Sequence, residues 1–537
     1  MKKVFLGVFI CFIPIYFLVK IDPRFVFTGD GLNKLIQSKS LLENNFKSEE
    51  IFYPARDIDP DFNSYPFQGV YLIKQNDRHI GQYPIFFSFI NALLLKILPY
   101  YFLPGNSYLF AIVSLFLLYK YWNVSLKFIL FTAVCTNFLF YGIEFNENLL
   151  LVFLPFVAIT ILFHYESSKH KLSILFLSGC IMGSAVWLRL EALLFFVSLI
   201  GAWIFLKGFE NKTLKVERLF FISGFTLVLF LFFLFNQWNY SHFLGPRYIA
   251  NQGEFLSGTM SSKLTQAFTI AFAGHLKLGF FGYTPLFLLI LVNPVLSIFK
   301  NFSEKIKILN CTIIFFIILV LLSAPNDGVV SWGSRYLALA ILPSVIVLDE
   351  IFKHIQFQKN ITKKLFSTIT ILLCVYSIFI SLLGFTFTKN ANRQLKEYQK
   401  EFTPYKNDYK IFSSTFMSTM IGTEYFYSIY LIPKDKDSLV DLISKIKLKK
   451  DKKRIIFFES IEANKEKLFQ KKEESKKIYK NFLFFLFRFL TIDDSDKAHI
   501  ENIDFKKESY LKILEKSFYK EKTMSGKYTN ASIFLIQ

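Results

Sequence analysis

The chain has 537 residues, 53% of them hydrophobic and 19% aromatic, with a formal net charge of +21. Its apolar residues come in long blocks that lipid can solvate and water cannot, which excludes an ordinary soluble domain. On a soluble protein the basic excess would suit nucleic acid; here it lies in short loops between apolar blocks, where it encodes topology, so nucleic acid is excluded as a partner.

The N-terminus, Met1-Lys2-Lys3 and then an apolar run to Val19, resembles a signal peptide but lacks a small-x-small cleavage site. It reads as an uncleaved first helix. About eleven membrane helices are expected, near 4–20, 106–120, 126–142, 148–164, 172–188, 190–206, 219–236, 283–299, 308–323, 337–352 and 365–385. Residues 84–98 are apolar but bounded by Pro84, Pro99 and Pro104, so they either span or lie at the interface. Charge decides between these. If 84–98 does not span, one set of loops holds Lys120, Lys127, Lys169, Lys171, Lys207, Lys212, Lys215, Arg218, Lys300, Lys305, Lys307, Lys353, Lys359, Lys363 and Lys364. The short loops opposite hold little more than Glu144, Glu147 and Arg335. This positive-inside pattern sets the N-terminus in the cytoplasm of a bacterial inner membrane and the first loop, 21–84, on the periplasmic side.

After about residue 385 the composition turns charged. A helix-like stretch (Asp437 to Leu448) precedes a strand-like one (Ile455 to Phe458). A second helical stretch covers Lys465 to Lys480, Asn481 to Leu490 reads as core, and Ala531 to Ile536 reads as a strand. The expected architecture is therefore an α-helical polytopic membrane domain over 1–385, with interfacial helices. A small exoplasmic α/β domain covers 386–537. The five cysteines lie inside expected helices, so no disulfide framework is implied. The seven histidines are scattered, without metal-site spacing.

Four places carry candidate chemistry. Asp30, in Thr28-Gly29-Asp30-Gly31, follows the first helix closely and precedes an amphipathic run; its plainer reading is a helix N-cap. In Tyr141 to Glu147, Glu147 reads as a solvated loop acid, whereas Glu144 stands nearer the helix end and can face a cavity. Arg189 and Glu191 form either a local pair or a cavity lining, since charge at membrane depth needs a partner or water. Arg335 and Tyr336 stand at the outer mouth of a helix, where a planar guanidinium suits a phosphate and where Trp, Tyr and Arg also serve as interfacial anchors. The loop 237–282 adds His242, Arg247, His275 and Lys277, any of which can be plain surface. One face thus gathers acids and cations, and the other only topology charges, which points to work on an anionic substrate at the outer leaflet.

Taken in order, these segments resemble the polytopic GT-C glycosyltransferases that use lipid-phosphate sugars, the group of protein O-mannosyltransferases and aminoarabinose transferases. Gly29-Asp30-Gly31 resembles the acidic motif of their first exoplasmic loop, and Gln82-Tyr83-Pro84 the start of the helix that follows. Gly183 to Glu191, Gly245-Pro246-Arg247 and Trp332 to Leu337 resemble their later arginine motifs, and Tyr141 to Glu147 sits where they carry a second acid. Two departures stand out: Asp30 lacks a paired acid, and the helix start has one proline instead of two. The resemblance covers about 1–385. It implies an inverting sugar transfer from a polyprenyl-phosphate donor to a hydroxyl on a glycolipid, glycan or protein. Asp30 would be the general base and Glu144 the second acid. Arg335, Arg247 and His275 would bind the donor phosphate, while Arg189, His79, Tyr83 and Tyr336 shape the cavity or acceptor site. No cofactor is implied beyond the lipid-linked donor, and a divalent metal stays open. Three other readings stay open: an oligosaccharide polymerase or ligase, a lipid-linked glycan transporter, and a non-catalytic relative. A transporter would carry more ionisable residues within its helices or show inverted repeats.

Overall fold

The computed structural model describes residues 12, 13, 15–75, 77–165, 171–207, 212–250, 260–274, 277–295, 297–326, 328, 332–355, 360–449, 454–460 and 510–536. The chain forms two compact units, each built from two separate stretches of sequence. The first comprises Met1–Pro23 and Tyr83–Thr388, the second Arg24–Gln82 and Lys389–Gln537.

The first unit is almost wholly helical. Its principal helices are α2 (Ile85–Leu95), α3 (Leu103–Lys120), α4 (Leu126–Cys135), α5 (Asn148–His164), α6 (Lys171–Ser184), α7 (Glu191–Lys207), α8 (Lys212–Tyr240), α9 (Met260–Ala271), α10 (Glu304–Ser323) and α11 (Ile341–His354). The second unit opens with α1 (Gly29–Glu43), and α12 (Asn360–Phe402) contributes residues to both. Four described helices are long and apolar enough to cross a membrane: Tyr100–Lys120, Val216–Tyr240, Glu304–Ser323 and Lys364–Tyr405. Shorter apolar helices cover Ile85–Leu95, Leu126–Cys135, Asn148–His164, Lys171–Trp187 and Glu191–Leu206. On α8, Phe230, Leu234 and Trp238 face outward, with Trp238 87% exposed. Such a surface needs lipid to cover it, and the protein reads as a membrane protein.

Two expected spans differ from the sequence reading. The block 283–299 is not one helix. It breaks into short helical pieces at Phe280–Tyr283, Pro285–Phe287, Leu288–Val292 and Asn293–Val295. Pro285 and Pro294 supply no backbone N–H and clash with the preceding turn, which disfavours a continuous helix here. The block 126–142 stops at Cys135, and a separate 3-10 turn covers Leu139–Gly142. Here the Thr136 hydroxyl takes the Thr132 carbonyl at 2.6 Å and offers its oxygen to the Phe138 amide at 3.2 Å, drawing the chain out of the helical ladder. Residues 84–98 hold the eleven-residue α2.

The second unit centres on a mixed sheet of five strands, in the spatial order Ile429–Leu431, Tyr409–Phe412, Arg454–Ser460, Thr529–Leu535 and Tyr519–Ser525. Its strands are β5 (Tyr409–Phe412), β6 (Ile429–Leu431), β7 (Arg454–Ser460), β8 (Tyr519–Ser525) and β9 (Thr529–Leu535). β5 pairs parallel with β6 and β7, and β9 pairs antiparallel with β7 and β8. Ile455 to Phe458 are all fully buried, as a strand covered on both faces requires. The helix α13 (Lys436–Lys449) buries Leu439, Leu442, Ile443 and Ile446, one stripe at helical spacing. The stretches 465–480 and 481–490, expected as helix and core, lie outside the described residues.

The sequence reading assigned the first loop to the membrane domain; the contacts place it with the tail. The Ile432 amide donates to the Ser64 carbonyl at 2.8 Å, Lys434 N–H to Asn63 O at 3.1 Å, and the Tyr425 hydroxyl to Phe52 O at 2.7 Å. Tyr53, Phe62, Tyr65, Phe67 and Tyr425 build one aromatic core from both stretches. A loop this rich in aromatics buries them against the nearest apolar surface, and the tail supplies it. Within the loop, β1 (Leu72–Gln75) and β2 (Arg78–Gly81) form a hairpin. At the far end of the sheet, Glu401 of α12 accepts the amides of Lys527, Tyr528 and Thr529 in the β8–β9 turn.

Candidate functional site

In the first unit, buried charges of both signs meet where α5, the turn before α7 and the segment after α8 come together. Arg189 and Glu147 are each 3% exposed. Arg189 Nε donates to Glu191 Oε1 at 3.1 Å, Nη2 reaches the same oxygen, and Nη1 reaches Asn148 Oδ1 at 3.3 Å. Glu147 Oε1 lies 3.8 Å from Arg189 Nη1 and accepts from Arg247 Nη1 at 3.2 Å. Two guanidinium groups and two carboxylates therefore neutralise one another, with Arg189 and Glu147 shut away from water, the condition on which buried charge is tolerated.

Local structure explains how these side chains converge. Glu147 is the N-cap residue of α5, so its carbonyl, which accepts the Leu151 amide at 2.8 Å, ties its backbone to the helix, and its charge sits at the favourable end of the helix dipole. Arg189 and Glu191 flank the break between Ala185–Trp187 and α7. Arg247 is carried past the end of α8 by Gly245, whose φ of +80° suits glycine and whose Cβ would meet Asn236 Oδ1 at 2.9 Å. Aromatic rings complete the cluster. The Arg247 guanidinium stands 5.9 Å from the Tyr83 ring, and Tyr336 lies between Arg189 at 5.3 Å and Arg335 at 5.7 Å. The Tyr336 hydroxyl donates to Asn326 Oδ1 at 2.7 Å.

Beside this cluster opens a small cleft of about 30 Å³. Its walls are mostly apolar, among them Ile85, Trp187, Leu190, Phe232 and Leu244, and Arg189 and Arg247 supply its charge. An apolar groove with cations in its lining suits an amphiphile with an anionic head.

Sequence reasoning placed Arg189, Arg247, Arg335, Tyr83 and Tyr336 as candidates, and all five belong to this part of the first unit. It preferred Glu144 to Glu147, and here the structure differs. Glu144 is half-buried and accepts from Asn146 Nδ2 at 3.0 Å, whereas Glu147, read as a solvated loop acid, is the buried partner of both arginines. No sequence signal separates Glu147 from an ordinary loop acid. His275 lies outside the described residues.

Asp30 and His79 belong to the second unit. Asp30 is not the N-cap of α1: Thr28 holds that position, and Asp30 sits in the first turn. There it is half-buried, takes a favourable place by the helix dipole, and lies 3.5 Å from the Tyr71 hydroxyl. His79 stacks on Phe62 with centroids 4.1 Å apart. Burial, and then the nearby charge of Lys74, lower its pKa from 6.5. Among the described residues no group of three or more His, Cys, Asp or Glu side chains converges as a metal site would.

No protein-family model and no curated protein matches the sequence. Solved structures do. ArnT from Cupriavidus metallidurans, crystallised bound to undecaprenyl phosphate, superposes with a TM-score of 0.52 at 9% identity, covering 86% of this chain and 94% of that one. The chain has the GT-C fold. The apo form of the same ArnT aligns with a TM-score of 0.48 at 10% identity, over 86% of this chain and 93% of that one. The oligosaccharyltransferase of Archaeoglobus fulgidus aligns at 0.45 and 11% identity, over 86% and 70%. The arginine-rich cluster described above thus sits on a GT-C scaffold whose second unit joins the first loop to the tail.

Proposed function

We propose that the protein is a membrane glycosyltransferase that moves a sugar from a polyprenyl-phosphate donor to a hydroxyl acceptor on the outer face of a bacterial inner membrane. The observation that carries this reading is the apolar cleft with Arg247 in its wall, on a fold shared with an ArnT that was crystallised with undecaprenyl phosphate. The isoprenoid tail takes the apolar wall and the phosphate takes the guanidinium. In this reading about eleven helices cross the bilayer, with the N-terminus cytoplasmic and the second unit periplasmic.

The reaction is a single displacement. Asp30, as general base, accepts the proton of the acceptor hydroxyl. The acceptor oxygen bonds to the anomeric carbon as the bond from that carbon to the phosphate oxygen breaks. The electron pair leaves with the phosphate, and the anomeric centre inverts. Arg247 and Arg335 stabilise the charge that develops on the leaving phosphate. Arg189 and Tyr336 hold the wall of the site.

The test is mass spectrometry of envelope glycans from wild type, a deletion strain, and the deletion complemented with Asp30→Asn at matched protein level. Loss of one sugar in both the deletion and the Asp30→Asn strain supports the transferase and names the sugar by its mass. A general base contributes about 10²–10⁴-fold, enough to empty the product pool. A wild-type profile with Asp30→Asn overturns the general-base mechanism. If arginine substitutions abolish the product and Asp30→Asn does not, the enzyme transfers preassembled chains instead.

A further inference from the structure

The ion pairs beside the cleft fall into two kinds. Arg189 is enclosed, and its donors reach Glu191 and Asn148. Arg247 keeps 22% of its side chain exposed, lines the cleft, and donates inward to Glu147 Oε1 at 3.2 Å. That carboxylate, Glu147, is the shared member: a single oxygen faces both guanidinium groups, at 3.8 Å and 3.2 Å. Glu147 stands on the rigid start of α5, while Arg247 stands in the segment that follows α8. A long flexible arginine on such a segment has many rotamers, and ordering it costs entropy whenever it meets a ligand. A fixed carboxylate on one side and the Tyr83 ring on the other remove most of that freedom in advance.

We infer that Glu147 is a positioning residue that holds Arg247 at the edge of the cleft for an anionic headgroup, with Arg189 as the fixed counter-charge that lets Glu147 stay buried. The inference rests on the proposed reading that the cleft takes a polyprenyl phosphate. Glu147 touches neither donor nor acceptor; it acts through Arg247. Its loss therefore weakens binding of the phosphate lipid only while Arg247 is present.

The test is a double-mutant cycle on the full chain in detergent or nanodiscs, with the Kd for undecaprenyl phosphate read from intrinsic tryptophan fluorescence and the melting temperature recorded alongside. Glu147→Ala is expected to raise Kd about tenfold, the scale of one charge-assisted hydrogen bond. Glu147→Gln recovers part of the loss, because its amide oxygen still accepts from Arg247. In the Arg247→Gln background, Glu147→Ala adds no further loss of affinity. An equal loss in both backgrounds overturns the inference, because Glu147 then acts through the general packing of the site. Should Glu147→Ala fail to fold, the isosteric Glu147→Gln carries the same cycle. If folded wild-type protein does not bind undecaprenyl phosphate, the polyprenyl-phosphate reading itself fails, a result distinct from additivity in the cycle.

Discussion

At the scale of single residues, His79 shows how burial becomes a pH response. Its ring stacks on Phe62, and its carbonyl accepts the Ile51 amide at 2.8 Å. Burial is the largest influence on it; Lys74 and Arg56 also oppose protonation, while Glu50 and Asp61 favour it. With the folded pKa below the unfolded value of 6.5, the unfolded state binds the proton first. The stabilising contribution is therefore complete above pH 6.5 and is lost as pH falls from there to the lowered folded value. Amide exchange at Ile51, corrected for its intrinsic pH dependence, should accelerate as pH falls below 6.5. His79→Phe keeps the stack and should flatten that change; an unaltered pH response in His79→Phe would assign it to another group. The residue scale is also where sequence reading served least evenly. Arginines beside glycines and aromatics were legible because few residues carry such charge next to apolar blocks. Glu147 was not, since a carboxylate in a short loop gives no sign in sequence of whether water or two arginines surround it.

At the scale of elements, the membrane unit relies on close helix contact. Gly179 of α6 and Gly224 of α8 face one another's backbones: a Cβ on Gly179 would lie 2.0 Å from the Phe221 carbonyl oxygen, and one on Gly224 2.0 Å from that of Phe176. Lipid tails are as apolar as the helices, so association here depends on packing, and small residues permit it. Because the obstacle is backbone, no side-chain movement relieves it. Gly179→Ala and Gly224→Ala are each expected to cost about 1–3 kcal/mol, the scale of overpacking, and to lower the melting temperature in detergent. A melting temperature unchanged in both variants would show that α6 and α8 separate freely. Helix positions were mostly visible as apolar blocks in the sequence. Their interruptions at 136–138 and near Pro285 and Pro294 were visible only as residue types, because an apolar run reads the same whether it is one helix or several short turns.

At the scale of the whole molecule, the second unit constrains the topology. Its core joins residues of the first loop to residues of the tail, through Ser64 with Ile432 and Phe52 with Tyr425. Two stretches that share a core must lie on the same side of the membrane, so the chain between Gln82 and Lys389 crosses an even number of times. This pairing was hidden in the sequence, because hydrophobic periodicity marks elements and not their distant partners. The expected crossings after the first loop number ten (106–120, 126–142, 148–164, 172–188, 190–206, 219–236, 283–299, 308–323, 337–352 and 365–385), with 126–142 and 283–299 counted as interrupted crossings, and ten is even. Adding 84–98 would make the number odd and would place the halves of one core in two compartments. The eleven-residue α2 is therefore expected to lie at the interface. Cysteine accessibility tests this in a background without the native cysteines. Asp61→Cys and Tyr427→Cys, both exposed, should react with an impermeant maleimide from the periplasmic side, and the exposed Lys120→Cys only after the cytoplasmic face is opened. If Asp61→Cys and Tyr427→Cys label from opposite sides, the shared core does not form in the membrane. If both label with Lys120→Cys, an odd number of crossings separates neither pair, and the span assignment between Gln82 and Lys120 must change.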